Sequence, residues 1–202
     1  MHDAGRHPEA IQLYGNLLRF TDEQTADGIA YGLELPPDAT PGQRAAWVYR
    51  IIAEMEKRFD AATIRSVRLD CYRNENEAPG KCSASGYPCA DVKLFAKVSD
   101  WLRGLYVSSQ NLEEFAEKAN AENLGWYVAG GELYTKFFEC ECPMLEAVGR
   151  LPTHTWCYCT AGYGKRLFEE VFGRPVAIEI LHSIRQGNDF CLMKVSMTPT
   201  EG

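Results

Sequence analysis

The stretch that decides the fold runs out as Val176-Ala177-Ile178-Glu179-Ile180-Leu181-His182-Ser183-Ile184, turns at Gln186-Gly187-Asn188-Asp189, and returns as Cys191-Leu192-Met193-Lys194-Val195-Ser196-Met197. Successive side chains of a strand point to opposite faces. Val176, Ile178, Ile180, His182 and Ile184 therefore share one face and Glu179 takes the other, while Cys191, Met193, Val195 and Met197 share one face of the return. The period of two on both sides of a Gly-Asn turn predicts a β-hairpin. With both apolar faces inward, His182 and Cys191 both point inward, and Glu179 is solvated.

Moving upstream, Thr160 to Gly173 reads as a helix with Tyr163, Leu167, Phe168 and Val171 on its buried side and Gly173 as its stop. Cys157-Tyr158-Cys159 sits at its N-terminal mouth, where free N–H groups and the helix dipole favour thiolate over thiol. Further up, Trp126-Tyr127-Val128 and Leu133 to Phe138 are extended in preference and joined through Gly130-Gly131, a second hairpin. Its second strand delivers the chain to Cys140-Glu141-Cys142-Pro143, and a polar turn around Leu151-Pro152-Thr153-His154 leads on to Cys157.

The part before Gly125 is helical. Ile11, Tyr14, Leu17 and Leu18 form one stripe between about Pro8 and Arg19, followed by a loop through Leu35-Pro36-Pro37-Asp38-Ala39-Thr40. Thr40, Pro41 and Gln43 make a helix start signal for a helix reaching about Phe59, with Trp47, Val48, Ile51, Ile52 and Met55 as its core face. Asp60 caps a further helix through Ile64, Val67 and Cys71; Val92, Phe95, Leu102 and Leu105 mark another, and Asn111 with Glu114 opens one carrying Phe115 and Ala119. The expectation is an α+β protein: a helical region over residues 1–124, four or five helices in all, packed on a cysteine-rich module over 125–202 made of two hairpins and one long helix.

The charge balance of 21 basic and 28 acidic residues, net -7, leaves no basic face to displace counterions from phosphate. Nucleic acid and anionic membrane surfaces are therefore poor partners, and a small or neutral molecule fits better. The N-terminal residues lack the apolar core of a signal peptide and no run spans a bilayer, so the expected location is the cytoplasm. There the 8 cysteines should be thiols, and clustered thiols in a reducing compartment point to metal ligation or catalysis rather than to disulfides.

Five cysteines, Cys140, Cys142, Cys157, Cys159 and Cys191, lie in the quarter of the chain from Glu139 to Cys191. A Cys-x-Cys pair brings two soft thiolates together without a helix, and two such pairs plus Cys191, with His182 beside it, exceed what one tetrahedral zinc requires. Four thiolates would make a structural ion, and three with an open position a catalytic one; the sequence leaves both open. Cys71, Cys82 and Cys89 border or lie in a segment rich in Asn, Glu, Gly, Ser and Pro, which reads equally as a metal-ordered loop or a surface loop with incidental cysteines.

The runs Cys142-Pro143-Met144-Leu145-Glu146-Ala147-Val148-Gly149, Cys157-Tyr158-Cys159, and Ser183-Ile184-Arg185-Gln186-Gly187-Asn188-Asp189-Phe190-Cys191-Leu192-Met193 together resemble the C-terminal half of the L-2-amino-thiazoline-4-carboxylic acid hydrolase-like family. They resemble more closely still a related bacterial cysteine-rich group, and the ending is similar to that of the 4-vinyl reductase domain, a small-molecule-binding module some members of which hold zinc through cysteines. The resemblance covers about Trp126 to Met197. It places the family pattern on Cys142, Cys159 and Cys191, with Cys140 and Cys157 as extra members. Zinc-binding 4-vinyl reductase domains carry a cysteine eight residues before the last one, where this chain has Ser183, next to His182.

The resemblance implies hydrolysis of a small ring containing sulfur and nitrogen, or of an amide-like bond. The attacking group would be a metal-activated water, or a thiolate such as Cys159 at the helix N-terminus assisted by His182 or His154. Tyr158 and Tyr163 are either substrate-positioning or packing residues. The leading expectation is thus a zinc-thiolate protein with a small-molecule pocket, hydrolase-like by resemblance. Its rival is a non-enzymatic binding or sensory module in which the same cysteines hold a structural zinc, and thiol redox work ranks third because Cys-x-x-Cys is missing. Homodimerisation is compatible with such a module.

Overall fold

A computed structural model of the chain describes residues 5–69 and 92–197. Cys71, Cys82 and Cys89, and with them the loop they border or occupy, lie outside the described residues. Before the first strand come α1 (Pro8–Leu17), α2 (Glu23–Ala30), α3 (Pro41–Arg58), α4 (Ala61–Leu69), α5 (Val92–Val107) and α6 (Leu112–Ala119). The fold is α+β, with a helical N-terminal part and an antiparallel sheet in the C-terminal part.

The helix ends follow side-chain chemistry. Thr40 and Gln43 form a reciprocal capping box on α3, with the Gln43 N–H donating to Thr40 Oγ1 at 3.3 Å and the Thr40 N–H to Gln43 Oε1 at 2.9 Å. Asn111 Oδ1 accepts the Glu114 N–H at 2.8 Å to open α6. The helix absent from the sequence reading is α2. It is opened by Asp22, whose carboxylate accepts the Thr25 N–H at 2.9 Å, and it buries only Ala26, Ile29 and Ala30, a stripe too short to stand out as periodic.

In the C-terminal part β1 (Tyr127–Ala129) and β2 (Glu132–Phe137) pair across Gly130 and Gly131, whose φ angles of 61° and 79° are the left-handed conformation a tight hairpin turn needs. β3 (Val176–His182) and β4 (Cys191–Met197) form the second hairpin, and β4 also pairs with β2, giving the antiparallel order β1-β2-β4-β3. Between the hairpins α7 (Tyr158–Phe172) packs on the sheet and on α4 and α5, ending at Gly173 with φ 66°. Cys157 is the residue that precedes this helix, so Cys159 lies inside the first turn instead of before it.

The inward placement of His182 does not hold. Pairing runs evenly from Val176 opposite Met197 to Ile180 opposite Met193, then a β-bulge between Ile180 and His182 sets His182 opposite Leu192. The extra residue reverses the alternation at that point. His182 is exposed and stacks on Phe190 at 5.9 Å between ring centroids, while Ser183 turns inward and is 1% exposed.

Among the described residues there are two apolar cores. One gathers α1 to α4 with Met144, Leu145, Val148, Leu151 and Trp156; the other joins α5, α6 and α7 to the inner face of the sheet. The cores therefore do not divide at residue 125, since α5 and α6 belong with the sheet and the 143–156 loop belongs with the first helices. That loop is fastened to α3: Arg44 Nε donates to Pro143 O at 3.1 Å, Arg44 pairs with Glu146 at 2.6 Å, and Glu56 accepts from the Thr153 and Thr155 hydroxyls. Trp47 of α3 meets Trp156 edge-on at 5.7 Å. Cys157 and Tyr163 pack against both cores. Among the described residues no helix is long and apolar enough to cross a membrane.

Candidate functional site

The cysteine pairs flank the loop clamped to α3. Cys140 and Cys142 precede it after β2 ends, Cys157 and Cys159 follow it at the start of α7, and Cys191 opens β4 opposite Phe137. Because β2 and β4 are neighbours and α7 lies on the sheet, these five cysteines arrive at one cavity of about 260 Å³, which all of them line. All five are outside disulfides and of intermediate exposure. Leu94, Val98, Phe137, Tyr163, Ile180 and Met193 make much of the remaining wall, so the cavity is mainly apolar apart from sulfur.

Its charged members are Arg68 and Glu9, with Glu139 and Glu141 beside Cys140. Arg68 is fully buried, 3.5 Å from Glu9, donates to Trp156 O at 3.2 Å, and sits 4.1 Å over the Trp156 ring. Both charges are shut away from water, so removing either one would strip the other of its opposite charge.

The turn that follows β3 reaches the sulfurs. Arg185 Nε donates to Cys140 Sγ at 3.2 Å, the Ile184 N–H donates to Cys191 Sγ at 3.4 Å, and Ser183 Oγ lies 3.5 Å from Cys157 Sγ. Arg185 also ties the turn to the clamped loop, donating to Val148 O at 2.7 Å and accepting the Leu151 N–H at 2.6 Å on its carbonyl.

Burial dominates the acid–base character of three of these thiols. It pushes Cys142 up to about 12, helped by the Glu9 carboxylate, and Cys157 up to about 11, where charge on Cys191 or Cys140 adds to the effect. Cys191 is also raised by burial, with the Ile184 N–H working against it. In the metal-free state these three are thiols at neutral pH, whereas an ion would replace their protons. As a donor set, sulfur suits zinc. As the side chains stand, no group of three or more His, Cys, Asp or Glu among the described residues is gathered to hold an ion.

Of the residues expected at the site, Cys140, Cys142, Cys157, Cys159 and Cys191 come together and His182 does not. His154 does not line the cavity either; burial lowers its pKa, and the nearby charge of His182 lowers it further. Tyr163 lines the cavity and Tyr158 does not. The sequence reading missed Arg68, Glu9 and Arg185, and noted Ser183 only as standing where zinc-binding 4-vinyl reductase domains carry a cysteine. A signal existed for the first two: Arg68 stands four residues after buried Ile64, and Glu9 four before buried Leu13, each a charge on an apolar helix stripe. Arg185 lies two residues after Ser183 in the same motif, where no local pattern marks it as a partner of sulfur.

No curated protein and no solved structure matches the chain. A family model described as a family of unknown function, DUF6144, matches residues 5–201, nearly the whole length. The chain belongs to the DUF6144 family.

Proposed function

We propose that this is a cytoplasmic small-molecule-binding protein whose cavity cysteines hold zinc. The observation that carries the reading is the convergence of five cysteines from three separate segments on one cavity. Clustered cysteines that serve as metal ligands suit a reducing compartment. When bound, the ion would join the sulfurs into one centre and supply Lewis acidity at the cavity.

The chain's own residues define the ligand. Leu94, Val98, Tyr163 and Met193 favour an apolar body, while Arg68 and Glu9 offset one another and Glu139 and Glu141 disfavour an anion. A compact, uncharged, sulfur- or nitrogen-containing ring fits that wall. Binding is preferred to hydrolysis because His182, the expected base, lies outside the cavity. The hydrolytic reading keeps one observation in its favour: Cys159 lines the cavity from the first turn of α7, where helix N–H groups support a developing thiolate.

Elemental analysis of the purified chain, with thiol titration before and after chelation, tests the metal. Stoichiometric zinc and chelator-released thiols are expected; no metal and eight freely titrating thiols would sink it. Calorimetry and turnover assays with a panel of small thiazolines and cyclic amides separate the two roles. Saturable binding without turnover is the expected result, and turnover abolished in Cys159→Ser would establish the hydrolase.

A further inference from the structure

The two faces of the sheet differ. α7 packs against the side that carries Ile178, Met193 and Val195, whereas alternation along β2 sends Glu132, Tyr134 and Lys136 outward. The register sets Tyr127 beside Tyr134, their rings stacked at 4.8 Å and 5° apart in plane, and Lys194 and Glu179 continue that row. One row further on, Lys136 Nζ lies 4.8 Å from the centre of the Phe190 ring and 5.5 Å from that of Tyr127, and Phe138 meets Phe190 at 6.3 Å. Among the described residues, Tyr127, Tyr134, Phe138, Phe190 and Leu192 belong to neither core, and Tyr127 and Phe138 are 39% and 56% exposed. An aromatic patch of this kind, edged by charge, marks an interaction surface.

We propose that this face binds a second copy of the chain about a two-fold axis that passes through Tyr134 and crosses β2. The charges of the face select that occupant. Glu179 and Lys194 neutralise each other at 2.7 Å, but Glu132 and Lys136 form no ion pair among the described residues. They stand on one face of one strand, each two residues and about 7 Å from Tyr134, on opposite sides of it. A half-turn about Tyr134 lays β2 antiparallel on β2 and brings Glu132 of each copy to Lys136 of the other, with the stacked tyrosines between them. An isologous interface demands such self-complementarity. Packed sheets hold their strands within about 30° of one another, which keeps both pairs in reach. Lys194 and Glu179 lie in the Tyr134 row and face their own equivalents, each already neutralised by the other. With Lys136 and Lys194 offset by Glu132 and Glu179, the face offers no excess positive charge to a phosphate polymer. Phe137 and Cys191 line the cavity from the other side of β2 and β4, so the dimer sets two cavities back to back. The axis needs no metal ion, and zinc content leaves the outcome below unchanged.

The test is sedimentation equilibrium of the full chain across a wide range of protein concentration. The wild type should show a monomer–dimer equilibrium. Glu132→Lys and Lys136→Glu each set like charges across the axis and should weaken the dimer at least ~10-fold. The two single variants mixed in equal amounts should form a heterodimer, because the lysines of one then meet the glutamates of the other, and the double variant Glu132→Lys, Lys136→Glu should self-associate as the wild type does. Far-UV circular dichroism identifies a reversal that disturbs the fold; Lys136→Gln then replaces it and should weaken the dimer more mildly. A wild type that stays monomeric at every concentration leaves the face to another partner and overturns the dimer. Self-association that ignores both reversals, or ignores Lys136→Gln, places the interface elsewhere. Single variants that dissociate yet neither pair with each other when mixed nor recover in the double variant overturn the axis through Tyr134.

Discussion

His7 shows how much one side chain can couple fold to solvent. Its Nδ1 accepts the Glu9 N–H at 3.1 Å as the cap of α1, and its own N–H donates to Leu35 O at 2.8 Å. Burial, and then the charge of Arg44, hold its pKa below 6.5. The folded state therefore resists protonation while the unfolded chain accepts it, so stability is full above about pH 7 and falls as pH drops through 6.5. Melting temperatures measured between about pH 7.5 and 5.5 should decline, and more gently in His7→Asn, which keeps a capping acceptor but cannot titrate. An equal decline in the variant would assign the effect to other groups, His154 first, since burial lowers it in the same direction.

At the scale of the element, the two glycines of interest behave oppositely. Gly162 of α7 faces the end of α4: a Cβ there would stand 2.3 Å from Leu69 O, a backbone atom that cannot swing aside. Gly162→Ala should cost roughly 1–3 kcal/mol by urea denaturation. Gly104 in α5 has open space around the corresponding position, so Gly104→Ala should stabilise by roughly 0.5–1 kcal/mol through the helix preference for alanine. If both changes shifted the midpoint the same way, close approach of α4 to α7 would not be the reason for Gly162.

Elements also show what could be read in advance. The Thr40–Gln43 box, the Gly173 stop and both hairpins were legible because each depends on residues adjacent in sequence. The bulge before His182 was not, because Val176, Ile178, Ile180 and His182 continue one alternation and nothing local announces an extra residue. The cysteines of the cavity could be named from type and spacing. Their partners could not, since the turn after β3 meets Cys140 after β2, Cys157 at the start of α7 and Cys191 of β4 only once these elements are assembled.

At the scale of the whole molecule, Arg68 joins α4 to α1 through Glu9 and to the clamped loop through Trp156. Removing one charge leaves the other buried and unpaired, so Glu9→Gln should destabilise by roughly 3–5 kcal/mol. A Glu9→Leu, Arg68→Met double variant should recover part of that loss, and a double variant as unstable as the sum of its singles would show that the pair does not act as a unit. Since Cys157 and Tyr163 touch both cores, tryptophan fluorescence from Trp47 and Trp156 in one and Trp126 in the other should report a single unfolding transition. Two separated transitions would show the cores to be independent.

The strand order has a kinetic consequence. β4 must be inserted between β2 and β3, and its pairing with β2 joins Phe137 to Cys191 across a long intervening segment. Such non-local closure is slow compared with helix formation, and until it happens the cavity has no wall on that side. Through this interval Cys140, Cys142, Cys157, Cys159 and Cys191 are all open to air and to one another. Refolding from denaturant should therefore return native protein in good yield only with a reductant present, and without one should give mixed disulfides that non-reducing electrophoresis resolves as a ladder.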